Sequence, residues 1–127
     1  MPATTLGKVH DAAACADHIG RTPWEGCAVY MLWDRVNDEP IYCGTATTPG
    51  RLKSHLKNDN PLTPPSSHNL KNGELTRFWQ GQKAGWLGVS FRIYSSEAEA
   101  KAVERELISA YGIRRAGGKL FNQRFSG

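Results

Sequence analysis

The sequence predicts an α+β, sandwich-like domain: a small three-stranded antiparallel sheet flanked by helices. Three observations carry this reading. Val29, Met31 and Trp33 alternate with Ala28, Tyr30 and Leu32, and a polar connection, Asp34 to Pro40, leads to a second short apolar run, Ile41 to Thr45, so the pair reads as a hairpin. Leu87, Val89, Phe91 and Ile93 share one face of the segment Trp86 to Tyr94. The stretch SSEAEAKAVERELISAYG has helical periodicity, with Ser96 and Glu99 spaced as a capping box and Gly112 placed as a C-terminal stop.

The remaining elements follow from local signals. Val9, Ala12, Ala13, Ala16 and Ile19 recur at helical spacing, so Lys8 to Ile19 is expected to form a helix ended by Gly20 and Pro23. Residues 1–26 then form a helical extension to a core spanning 27–123. The run TTPG punctuates the chain after the second strand, and a helix is expected from near Arg51 with Leu52 and Leu56 on its buried face. Asn58 to Asn72, rich in Pro, Ser and Asn, reads as a long irregular loop. Glu74 to Lys83 places Leu75, Phe78, Trp79 and Gln82 at helical spacing, and the tail to Gly127 reads as mostly irregular.

At 127 residues the chain has the size of one domain. Sixteen Lys and Arg against twelve Asp and Glu give a net charge of +4, a mild excess that suits an anionic partner. No stretch approaches the roughly 18 apolar residues of a membrane span, and the N-terminus lacks an apolar signal core. Cys15, Cys27 and Cys43 are odd in number and widely spaced, against a disulfide framework or a thiolate zinc site. A cytoplasmic protein is the expectation. His10 and His18 bracket Cys15 in no common zinc pattern.

Helix geometry separates the acids of the last helix. Ala100, Val103, Leu107, Ala110 and Tyr111 form an apolar stripe; Glu104 falls on that side, while Arg105 and Glu106 point away. An ionised acid so placed needs a cation, a metal or hydrogen-bond donors, unless it edges the stripe and reaches water. Arg51 and His55, four apart, project together and suit a phosphate, or else belong to an ordinary basic face with Lys53 and Lys57. Tyr30 and Tyr42 are expected as partly buried phenols at the sheet edge, which as single residues also fit a core role.

The ordered set AVY, YCG, Arg51 with His55, Glu104 in ERELISAYG and Asn122 in LFNQ resembles the GIY-YIG nuclease family over roughly Cys27 to Gln123. That family's signature is a GIY triplet, a YIG triplet a hairpin later, an Arg and a His on the next helix, a helical Glu, and an Asn near the end. Ala28 and Val29 replace the Gly and Ile of the first triplet and Cys43 the Ile of the second, at small or apolar scaffold positions.

The resemblance implies an endonuclease that hydrolyses phosphodiester bonds in DNA, with RNA left open. It implies Tyr30, Tyr42, Arg51, His55, Glu104 and Asn122 as catalytic residues and Glu104 as the ligand of one Mg²⁺ or Mn²⁺. Tyr30 is then the general base or water-orienting group, Arg51 holds the phosphate, His55 donates to it or relays a proton, Tyr42 positions, and Asn122 braces. Lys53, Lys57, His68, Lys71 and Arg77, with Lys83, are expected along the nucleic-acid backbone and carry no base specificity. No attached recognition module is visible, so target choice is expected to be weak or to come from a partner protein. The alternatives are a nucleic-acid-binding domain of the same fold without catalysis, and a small interaction domain whose matching residues are coincidental.

Overall fold

A hairpin whose two strands are mostly buried organises the chain. In the computed structural model, which describes residues 6, 8–12, 25–49, 52, 56 and 73–122, strand β2 (Cys27–Asp34) pairs antiparallel with β3 (Glu39–Ala46) on one side. On its other side β2 pairs antiparallel with β4 (Leu87–Tyr94). A two-residue strand β1 (His10–Asp11) adds to the far side of β4, giving the order β1-β4-β2-β3. Helix α1 (Gly73–Gln80) precedes β4 and helix α2 (Glu97–Tyr111) follows it.

The class is α+β as expected, but the sheet has four strands among the described residues rather than three. The correction comes from the N-terminal segment. The helix expected from Lys8 is absent at its start: His10 and Asp11 instead pair with Val89 and Gly88, and Asp11 forms an ion pair with Arg35 at 2.6 Å. An edge strand with available backbone groups captured residues whose helical periodicity alone was weak. The rest of that helix, from residue 13, lies outside the described residues, as does the loop expected over residues 58–72.

Both faces of the sheet are covered, which is why β2 reads as a nearly continuous buried run. One core gathers Tyr30, Leu32, Ile41, Leu75, Trp79, Trp86, Val89 and Phe121, with Tyr42 and Phe78 packed against it. Leu52 and Leu56, both helical, belong to this core, as the sequence predicts for the helix after β3. The opposite core gathers Val29, Met31, Cys43, Tyr94, Ala100, Leu107, Ile108 and Leu120 beneath α2.

Local chemistry sets the ends of α2. Ser96 has extended dihedrals and its hydroxyl accepts a hydrogen bond from the Glu99 amide at 3.2 Å. Gly112, at φ 80°, ends the helix and donates its amide to the Ile108 carbonyl at 2.8 Å. At the hairpin turn, the buried carboxylate of Asp34 accepts from the amides of Val36 and Asn37 at 3.0 and 3.4 Å, an Asx turn that leaves Val36 at the exposed tip.

Of the tail expected to be mostly irregular, the described part after α2 is a loop, and it is tightly bonded. A 3-10 turn over Arg114–Ala116 is followed by a parallel bridge between Ile113 and Leu120. The Arg114 amide donates to the Leu120 carbonyl at 2.6 Å and the Leu120 amide to the Gly112 carbonyl at 2.9 Å. This crossing brings Gly118 onto Gly112 so closely that a Cβ on Gly118 would sit 2.2 Å from the Gly112 carbonyl carbon. No helix among the described residues is long and apolar enough to cross a membrane.

Because backbone, not a flexible side chain, blocks that Cβ, Gly118→Ala is expected to destabilise the domain by roughly 3 kcal/mol, read as a lowered urea midpoint. Wild-type stability for this variant would show that the 112–120 loop is not packed as described.

Candidate active site on the hairpin and its covering helix

The β2–β3 register brings the two tyrosines together. Tyr30 lies opposite Gly44 and Leu32 opposite Tyr42, so the phenols point to one face, and their ring centroids are 6.4 Å apart at 34°. A register shift after Leu32 leaves Ile41 as the extra residue of a bulge, with Pro40 opposite Trp33.

Gly44 makes the arrangement sterically feasible. A Cβ there would lie 2.6 Å from the Tyr30 hydroxyl oxygen and 2.7 Å from its Cζ. The glycine of YCG is thus the floor on which the Tyr30 ring rests, a role the sequence did not reveal because it depends on cross-strand register. The expectation of two partly buried edge phenols holds for Tyr42 but needs correction for Tyr30, which is 0 % exposed because β2 is an inner strand.

Asn122 clasps the outer edge of β3. Its Nδ2 donates to the Cys43 carbonyl at 2.7 Å and its Oδ1 accepts from the Cys43 amide at 2.9 Å, so one side-chain amide pairs as a peptide unit of a further strand would. The Phe121 amide donates to the Ile41 carbonyl at 2.7 Å. The residues on either side of Tyr42 are therefore both tied to the chain end.

Glu104 is buried on α2 at 0 % exposure, with Lys101 Nζ 4.0 Å from its Oε1, whereas Arg105 and Glu106 are exposed as helix geometry predicts. Its carboxylate acts on the α2 side of the sheet: there it adds to the burial that pushes the Cys43 thiol well above its ordinary range. The Cys27 thiol is also raised, mainly by burial and then by Glu97, against a lowering by Lys101. Both thiols are buried and stay protonated at neutral pH, which makes Cys43 a packing residue rather than a nucleophile.

Tyr30 and Tyr42 thus project into one core and Glu104 lies in the other, with the sheet between them. The expectation that all these side chains face one pocket is corrected to this extent, because the register turns Tyr30 and Tyr42 to the face of the sheet away from α2, the helix that carries Glu104. The two faces meet around β3, the edge strand. Beyond its C-terminal end, a cleft of about 170 Å³ lies between Thr45, Thr47 and Thr48 on one side and Glu97 and Lys101 of α2 on the other.

Arg51, His55, Lys53, Lys57, His68 and Lys71 lie outside the described residues. Arg77 is exposed in the last turn of α1, and Lys83 is exposed just after it. Among the described residues no three His, Cys, Asp or Glu gather as a metal cage. Glu104, buried at 0 % exposure, supplies a hard oxygen donor, the type of ligand that suits Mg²⁺ or Mn²⁺.

Comparison with known protein families, curated proteins and solved structures found no match to this chain.

Gly44→Ala is expected to force the Tyr30 ring from its place, costing roughly 1–3 kcal/mol by thermal or urea melting. It should also shift the Tyr42 ring signals in NMR spectra. Unchanged stability and unchanged ring signals would contradict the described packing of Tyr30 on Gly44.

Proposed function

We propose that the chain is a metal-dependent endonuclease of GIY-YIG type that hydrolyses phosphodiester bonds in DNA. The observation that carries the reading is the buried carboxylate of Glu104. Taking a carboxylate wholly out of water in a domain this small is costly, and a charge kept there needs a compensating cation. Glu104 is also the helical acid that the resemblance names as the metal ligand.

In this reading the reaction needs a positioned water, a held phosphate and relief of the charge that develops on the phosphate oxygens. A Mg²⁺ or Mn²⁺ ion held by Glu104 supplies that last element when bound. Tyr42, the phenol that retains exposure, orients the attacking water, while Tyr30, closed from solvent, fixes the Tyr42 ring and the β3 backbone. Arg51 holds the phosphate with its planar fork of donors, and His55 donates to a phosphate oxygen. Asn122 keeps β3, and Tyr42 with it, in register. The substrate lies across the β3 edge, over the Phe121–Asn122 segment that is bonded to it.

One observation favours a second reading, a nucleic-acid-binding domain of the same fold without catalysis. Lys101 stands close enough to Glu104 to balance its charge as a structural ion pair, and in that case no metal is required.

Plasmid nicking separates the two. The wild-type chain is expected to nick supercoiled DNA with Mg²⁺ and to stop on addition of EDTA. Glu104→Gln, with its fold verified by circular dichroism, should lower the rate by ~10²-fold or more. DNA binding without nicking would establish the second reading, and nicking unchanged in Glu104→Gln would remove Glu104 from the chemistry.

A further inference from the structure

The exposed face beside Tyr42 carries a cation that the sequence reading did not single out. Arg114 lies with its Cζ 4.2 Å from the centroid of the Phe121 ring and 5.9 Å from that of Phe78, and these two rings are 5.1 Å apart. Its guanidinium therefore lies on an aromatic shelf while the residue remains exposed. Among the described residues no carboxylate pairs with it: the ion pairs are Arg35 with Asp11, Lys101 with Glu104 and Lys119 with Glu39.

Three features fix where this cation points. The Arg114 backbone is locked in the loop, donating its amide to Leu120 and accepting from Gly117 at 3.1 Å. Phe121 belongs to the core against which Tyr42 packs, so the shelf is on the tyrosine side of the sheet. Phe121 and Asn122 are bonded to Ile41 and Cys43, the two neighbours of Tyr42, so the shelf and the phenol are held to one strand.

We propose that Arg114 is a substrate-binding residue, a preformed donor fork for a backbone phosphate of the nucleic acid that runs along the β3 edge. A free Arg side chain loses considerable rotamer freedom when it binds, and stacking on Phe121 removes most of that loss beforehand. The guanidinium carbon lies over the Phe121 ring while the residue is exposed, and guanidinium N–H groups are the donors that meet phosphate oxygens in pairs. The inference rests on the nucleic-acid part of the functional reading and not on hydrolysis.

The test is fluorescence anisotropy with a short labelled DNA duplex in EDTA across a salt series. Arg114→Gln is expected to bind about tenfold more weakly and to make the plot of log K against log salt shallower by about 0.9, the loss of one phosphate contact. Arg114→Lys should keep the wild-type slope while recovering only part of the affinity. Arg105→Gln removes the same charge from an exposed position of α2 and should leave the slope unchanged. Equal effects at positions 105 and 114, an unchanged slope for Arg114→Gln, or no salt-dependent binding by the wild type would each overturn the proposal. If the wild type nicks plasmid while Arg114→Gln binds normally, this inference alone falls. If binding depends on Arg114 but Mg²⁺ brings no nicking, hydrolysis falls and this inference stands.

Discussion

The register of β2 against β3 is the constraint on which the rest of the structure depends. β2 is hydrogen-bonded on both sides, and its two faces feed two separate cores. A slip of one residue would turn Tyr30 and Leu32 toward α2 and Val29 and Met31 toward the opposite core. Gly44 allows only the observed pairing to be tight, because the Tyr30 ring needs the space that a Cβ would take. The bulge at Ile41 lets the strand keep this register while Pro40, which has no amide to donate, sits where the pairing shifts.

Buried polar groups in this domain act mainly as fasteners. Asp34 closes the hairpin, Trp33 Nε1 donates to the Ser90 hydroxyl at 3.0 Å across the β2–β4 pair, and Asn122 closes the outer edge of β3. Each removes from water only atoms that gain a partner, the condition under which burial of polar groups stabilises. Asp34 and Glu104 are both buried carboxylates, for which a single hydrogen bond does not offset desolvation; three hydrogen bonds hold Asp34, and Lys101 stands beside Glu104. Lys101 at 4.0 Å contributes part of that compensation and also lines the cleft beyond β3.

Much of this was legible in the sequence wherever one local rule sufficed. The Ser96 cap and the Gly112 stop, the alternation of β4, and the division of Glu104 from Arg105 and Glu106 all follow from periods and end signals within one element. What depended on partners was not legible. The pairing of His10 and Asp11 with β4 needed an open strand edge, the role of Gly44 needed the β2–β3 register, and the Asn122 clasp joins residues 79 positions apart. Periodicity also assigns a side chain to a face without saying which helix covers that face. For that reason Tyr30 and Glu104 looked like neighbours in the sequence and stand on opposite sides of the sheet. The Arg114 shelf was hidden for a similar reason, because Phe78 and Phe121 meet only after the chain end returns to β3.

The proposed function stands or falls on whether Glu104, on the α2 side of the sheet, holds a divalent ion. Paramagnetic broadening of amide NMR signals during a Mn²⁺ titration tests this most directly, since the effect falls steeply with distance from the ion. Amides around Glu104 and Thr45 are expected to broaden first, and Glu104→Gln to abolish the effect. Broadening confined to exposed acids such as Glu25 or Glu106, unaltered by that substitution, would contradict it.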